Sequence, residues 1–180
     1  MSKVSVIYWS NGGNVEVLAN TIADELTDLG VEVLIKHVSN AKVEDVIEAD
    51  AVALGSPSMD NNRIEQYDME PFVNQFKLTP NNNKKMILFG SYGWDNGEFM
   101  VEWVKRMKDY GFDVVGSLAV NESPNDDEIN SAKELAKGNY QKDFTTKTDI
   151  IEIEELTNTL NTTRKELAKT DELRRDLMAN

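Results

Sequence analysis

The chain has 180 residues, 40% of them hydrophobic and 28% charged, which suits one domain with a sizeable core plus an appendage. It has no cysteine and one histidine, His37, so disulfides, thiolate chemistry and multi-histidine metal centres are excluded. The formal net charge is −13, and residues 1–138 hold −11 of it. Such a domain repels nucleic acid and favours a basic protein partner steered by charge, solubility alone being the plainer reading.

The N-terminal run after Lys3 is too short for a signal-peptide core, and no run approaches a membrane span, so the cytoplasm is the expected location. Residues 3–9 (KVSVIYW) read as a buried strand ended by a turn signal. From Asn14 to Leu29 the positions Val17, Leu18, Ile22, Leu26 and Leu29 follow helical spacing, and Gly30 is a natural stop. A strand at 31–38 and a short helix at 43–48 lead to a strand at 51–54 that ends at Gly55. A polar loop, SPSMDNNRI, opens at Ser56, and a helix runs from Met69 to Phe76. Residues 86–89 (MILF) form a fourth strand, SYGWDNG at 91–97 a loop, and Glu98–Tyr110 a helix stopped at Gly111. Residues 112–120 form a fifth strand, and Asp126–Lys137 a fifth helix.

Five strands alternating with helices predict an α/β fold, a doubly wound five-stranded parallel sheet covered on both faces. Ligands in such folds sit beyond the carboxyl ends of the strands, here at the loops beginning at Ser10, Ser56 and Ser91. His37, near a strand end, reads as a surface residue. Residues 139–148 read as a linker. Residues 149–180 read as an amphipathic helix with Asp149 and Glu152 at its start and a stripe of Ile153, Leu156, Leu160, Leu167, Leu173 and Leu177. That stripe packs on its own domain or pairs two copies into a homodimer; Thr163 and Thr170 interrupt any heptad.

The stretch Ser10-Asn11-Gly12-Gly13-Asn14-Val15 joins a strand to a helix without Lys or Arg. Free backbone amides at a helix N-terminus form an anion site, glycine lets the backbone approach closely, and Ser10 and Asn14 add side-chain donors. The Gly-Lys-Ser/Thr of nucleotide triphosphatases is absent. Glycines here also serve as a plain turn. Trp94 can stack on a planar ligand or pack beneath its loop. Met59 can face a ring or fill the core.

Together, VIYWSNGGN, LGSPSM, EPF, LFGSYGW with Gly97-Glu98, and VNESP occur in an order that resembles the short-chain flavodoxins over residues 3–137. The resemblance implies sheet order 2-1-3-4-5, non-covalently bound FMN, and low-potential electron transfer between redox partner proteins rather than enzymatic turnover. It assigns Ser10, Asn11, Gly12, Gly13, Asn14 and Val15 to the FMN phosphate. Met59 and Trp94 fall on opposite faces of the isoalloxazine. Pro57, Ser58, Asp60, Asn61, Ser91, Tyr92, Gly93, Asn96 and Gly97 fall along the ring edge and ribityl chain. Asn121 and Glu122 lie on a further loop at the same edge.

The chain departs from the family pattern in three places. The usual Ser/Thr-x-Thr-Gly-Asn-Thr loop has lost threonine hydroxyls at Gly12 and Val15, which implies weaker but surviving FMN binding. Asp60-Asn61 replaces a small Gly-containing pair and adds a charge beside the ring, which implies a lower second reduction potential or a poorly stabilised semiquinone. The helical extension after residue 138 is the third. Two alternatives stand beside the carrier: an NAD(P)H-dependent FMN quinone or flavin reductase, and a binding module that has lost FMN. A response-regulator receiver needs an acidic cluster after the first strand, and residues 8–11 contain no acid.

Overall fold

The computed structural model describes residues 2–138; the expected linker and C-terminal helix lie outside the described residues. Strands β1 (Lys3–Tyr8), β2 (Glu32–His37), β3 (Ala51–Pro57), β4 (Lys85–Tyr92) and β5 (Asp113–Asn121) alternate with helices α1 (Asn14–Asp28), α2 (Val43–Ile47), α3 (Met69–Asn74), α4 (Glu98–Asp109) and α5 (Asp126–Lys137). All pairings are parallel, in the order β2-β1-β3-β4-β5.

Strand alternation sends neighbouring residues to opposite faces, and both faces are buried. One face presents Ile7, Val52, Leu54, Met86 and Leu88 to Met69, Phe72 and Phe76, and to Phe99, Met100, Trp103 and Met107 of α4. The other presents Val6, Ala53, Ile87, Phe89, Leu118 and Val120 to α1 and α5. In α1 the buried stripe is Val15, Leu18, Ala19, Ile22, Ala23 and Leu26. Val17 and Leu29, expected on that stripe, are exposed. Alanines take their place because the helix lies close against the sheet.

Two strands run further than their sequence suggests. β3 extends through Pro57 and β4 through Tyr92, pairing Ser56 with Gly90 and Pro57 with Ser91. Glycine and serine hid these extensions, yet the close approach needs them. A Cβ on Gly90 would stand 2.1 Å from the Ser56 carbonyl oxygen, and one on Gly55 would stand 2.1 Å from the Phe89 ring. Helices α3 and α4 are joined by Arg106, whose guanidinium donates to both Glu70 carboxylate oxygens at 2.8 and 2.7 Å and to the Tyr110 hydroxyl at 2.9 Å. The bond to Glu70 raises the Arg106 pKa further above its ordinary value, against the effect of burial.

Gly90→Ala must push β3 from β4 and is expected to lower the unfolding free energy by about 1–3 kcal/mol or more. Gly93→Ala, with no atom within 4 Å of its Cβ, is expected to stay within about 0.5 kcal/mol of the parent. Urea denaturation of the two variants checks the contrast.

Candidate functional site

β1 ends at Tyr8, in register with His37 on β2 and Gly55 on β3. The Trp9 amide donates to the Gly55 carbonyl at 3.0 Å, and the chain then leaves the sheet. It enters α1 through Gly13 at φ 95, a left-handed conformation that costs glycine nothing. No side chain caps this helix. Its first-turn amides therefore have neither an intrahelical acceptor nor a protein cap, and they face outward with the positive end of the helix dipole. The Ser10 hydroxyl accepts the Gly13 amide at 3.1 Å, which fixes the loop's curvature. Asn11 and Gly12 are exposed, and a Cβ on Gly12 would meet nothing within 4 Å. Tyr8 donates its hydroxyl to Glu16 at 3.3 Å; burial, then the Glu16 charge, pushes the phenol pKa up and keeps it a donor.

The second loop leaves β3 after Pro57. The Ser58 amide donates to the Ser91 carbonyl at 2.8 Å and its hydroxyl to Asp95 at 3.1 Å, lacing this loop to the next. Met59 and Arg63 form an antiparallel bridge, with the Met59 amide on the Arg63 carbonyl at 2.7 Å. The turn between them places Asn61 at φ 60 and Asn62 at φ 55. Asparagine tolerates that conformation better than most side chains, and Asp60 avoids it. Met59 is 39% exposed, so it is not core filler. Glu65 is wholly buried at the far end of this loop. Its carboxylate accepts the amides of Tyr67 (2.6 Å), Asp68 (2.8 Å) and Met69 (2.8 Å), which satisfies its charge and begins α3. The Glu65 amide donates to Ser56 at 2.9 Å, so both ends of the Met59 loop are anchored to β3.

The third loop leaves β4 after Tyr92. Trp94 is 98% exposed, which rules out packing beneath its own loop. Asn96 is exposed, and Gly97, at φ 77, starts α4. One carboxylate oxygen of Asp95 takes the Ser58 bond; the other is buried with no protein partner. The loop after β5 is tied to this one. The Ser91 hydroxyl donates to the Glu122 carbonyl at 2.7 Å and the Glu122 amide to the Tyr92 carbonyl at 2.7 Å, while the Asn121 amide group reaches Gly93 at 3.4 Å.

A cavity of about 200 Å³ opens between the first two of these loops, over the ends of β3 and β4. It joins Ser10, Asn11, Gly12, Asn14 and Val15 to Pro57, Met59 and Ser91, with Trp9 as a further wall. Asp60 and Asn61, the segment Tyr92–Gly97, and Asn121 with Glu122 lie outside its lining, on the adjoining loops. Open amides without a cation suit a phosphoester, and two exposed apolar side chains, Met59 and Trp94, suit the faces of a flat ring. The residues present therefore fit a phosphorylated flavin.

Sequence reasoning missed four participants. Trp9 was read as strand, but it lines the cavity and donates its indole N–H to Asp68 at 3.1 Å. His37 was read as a surface residue, but it is partly buried and accepts the Ser10 amide at 3.4 Å. The order β2-β1 alone puts the end of β2 beside the first loop, so that signal was available. Asp95 and Glu65 gave none, because their roles depend on contacts to Ser58 and to backbone amides.

The sequence profile of the flavodoxin family matches residues 6–135. A flavodoxin of Megasphaera elsdenii is 38% identical over 135 residues, covering 74% of this chain and 96% of its own. A flavodoxin of Clostridium beijerinckii is 34% identical over 126 residues, covering 69% and 91%. The solution structure of two-electron reduced Megasphaera elsdenii flavodoxin superposes with a TM-score of 0.66 at 36% identity, over 75% of this chain and 96% of that one. With the sheet order and the cavity at the strand ends already in place, these matches make the chain a member of the flavodoxin family.

Proposed function

We propose that this chain is an FMN-binding flavodoxin that carries low-potential electrons between redox proteins, with the cofactor held by the three loops described above. One observation carries the placement: the uncapped start of α1 and the exposed Met59 open onto one cavity. FMN, when bound, supplies the one- and two-electron chemistry; the protein supplies binding, orientation and electrostatics.

The amides of residues 10–15 donate to the phosphate, with the Ser10 and Asn14 side chains beside them. Met59 and Trp94 cover the two faces of the ring. The turn at Asp60-Asn61 and the backbone of residues 91–97 line its edge, with Asn121 and Glu122 behind them. A ring covered by Trp94 leaves no room for a nicotinamide above it, which favours a carrier over a reductase. Asp60, Glu98 and Glu122 are exposed around the site and form an acidic rim. That rim steers basic partners to a brief encounter, in which fast association and release matter more than tight binding.

FMN titration of the apoprotein, followed by quenching of flavin fluorescence, is expected to give a dissociation constant well below millimolar. Trp94→Ala is expected to weaken binding roughly three- to tenfold, the equivalent of about 0.5–1.5 kcal/mol of aromatic stacking. Affinity no tighter than millimolar would defeat the placement.

Gly12 has open space around a built Cβ and an ordinary negative φ, so Gly12→Thr is expected to add a hydroxyl bond to the phosphate. A gain of about 0.5–1.5 kcal/mol, or roughly two- to tenfold tighter FMN, is the expected reading in the same titration. Val15 is 2% exposed within the α1 core, so Val15→Thr sets its hydroxyl's gain against a cost in stability and should help less.

Asp60→Asn removes a negative charge beside the ring and is expected to raise the second reduction potential, measured by equilibration with redox dyes.

A further inference from the structure

We propose that Met59 is a modification site: hydrogen peroxide oxidises its thioether to the sulfoxide ahead of the buried methionines, and the sulfoxide weakens the hold on FMN until it is reduced again. Selective oxidation follows from exposure alone; the effect on FMN rests on the flavodoxin reading above.

The described residues include the methionines Met59, Met69, Met86, Met100 and Met107. Met59 is 39% exposed, whereas Met69 and Met107 are 0%, Met86 1% and Met100 2% exposed. Oxidation of a thioether needs the reagent at sulfur, so susceptibility follows exposure. The four buried side chains belong to one core cluster beneath helices α3 and α4, almost closed to water. The chain has no cysteine, so no thiol of its own draws the oxidant away. Met1 and Met178 lie outside the described residues.

Its position gives the modification a consequence. Met59 lines the cavity together with the first loop. Its amide donates to the Arg63 carbonyl at 2.7 Å, and its carbonyl accepts the Asn62 amide at 3.1 Å. The same loop is tied to β3 by the Glu65 amide on Ser56 at 2.9 Å and to β4 by the Ser58 amide on Ser91 at 2.8 Å. The backbone therefore keeps the oxidised side chain at the cavity wall. A thioether is apolar and polarizable and packs well against an aromatic ring; a sulfoxide is polar and chiral, and its oxygen prefers water to that ring. In the free protein the new oxygen stands in solvent, so the core is left as it was.

A sulfur lone pair attacks one peroxide oxygen. The S–O bond forms as the O–O bond breaks, and the other oxygen leaves as water after a proton shift. Sulfur gives up two electrons and the peroxide takes them. Methionine sulfoxide reductases reverse the change, so the mark is erasable. A ring seated against Met59 covers the sulfur, which makes the protein with an open site the vulnerable form.

The full-length apoprotein is to be treated with hydrogen peroxide and every methionine peptide, those of Met1 and Met178 included, read by mass. Met59 is expected to gain one oxygen while Met69, Met86, Met100 and Met107 stay reduced, with the urea midpoint unmoved. FMN is then expected to bind about two- to tenfold more weakly, through loss of the sulfur–ring contact, and to recover after sulfoxide reductases acting on both epimers. Saturating FMN during the treatment is expected to slow the oxidation. Met59→Leu, whatever its starting affinity, is expected to keep that affinity through the treatment. Oxidation of a buried methionine as early as Met59 overturns the inference. So does an unchanged FMN affinity once Met59 is oxidised, an oxidation rate indifferent to FMN, or a peroxide-induced loss that persists in Met59→Leu; each of these leaves FMN binding itself intact. An untreated chain that binds no FMN overturns the flavodoxin reading and the effect of the sulfoxide together.

Discussion

The close approach of β3 and β4 shapes this end of the molecule. β1 leaves the ladder at Tyr8, opposite Gly55, while β3 and β4 run on as a ribbon through Pro57 and Ser91. That ribbon exists because Gly55 and Gly90 leave space for the Phe89 ring and the Ser56 carbonyl. The step between the short β1 and the longer ribbon is the floor of the cavity. Each loop then rises from a rigid edge: the first from the Trp9–Gly55 hydrogen bond, the second and third from Ser58 bonded to Ser91. A site that must hold a flat ring and a phosphate at a fixed separation benefits from such anchoring, since every loop starts from one sheet register.

The electrostatics at this edge divide by function. The domain is strongly acidic, yet the first-loop end of the cavity, where we propose the phosphate, is lined by neutral residues. A dianion inside an acidic protein is tolerated because main-chain amides and the α1 dipole act at contact distance, whereas the acidic side chains stand further off in solvent and are screened. While Glu16, in the first turn of α1, accepts the Tyr8 hydroxyl, Asp60, Asp95, Glu98 and Glu122 lie around the proposed ring end. Negative charge there opposes further negative charge on a reduced ring, which is how a carrier is held at low potential. On the proposed reading it also draws a positively charged partner to that edge.

Much of this was legible in the residues. Strand and helix order, the parallel sheet and the loops that matter follow from hydrophobic periodicity and glycine stops. Trp94 drew notice from its place in a glycine-flanked loop, and the structure leaves it in solvent. What escaped notice has physical causes. The extra residues of β3 and β4 are Ser56, Pro57, Ser91 and Tyr92, in or next to segments that look like turns until the partner strand is known. The α1 stripe was drawn through Val17 and Leu29, because side-chain size outweighed the small residues that let the helix sit close. Asn61 and Asn62 take the positive φ that the family's glycine implied one position earlier. His37 was passed over because a lone histidine at a strand end carries no pattern; only pairing to β1 gives it a neighbour in the first loop.

The two lost threonines raise the question of whether the site has been abandoned, and the local geometry answers against it. A loop released from holding a phosphate has no reason to keep its helix uncapped, yet α1 begins without any side-chain cap, at the cost of open amides. It has no reason to keep Gly13 at φ 95 or empty space at Gly12, where any larger side chain could fill the cavity. The ring side argues the same way. An indole 98% exposed and a methionine 39% exposed are apolar area left in water without a structural return, and Asp95 keeps a buried oxygen that no protein group satisfies. The open amides, the exposed apolar side chains and the unsatisfied Asp95 oxygen each cost the free protein stability, and they lie on adjoining loops at the carboxyl edge of the sheet. A bound ligand with an anionic end and a flat apolar body is the single agent that would repay them together.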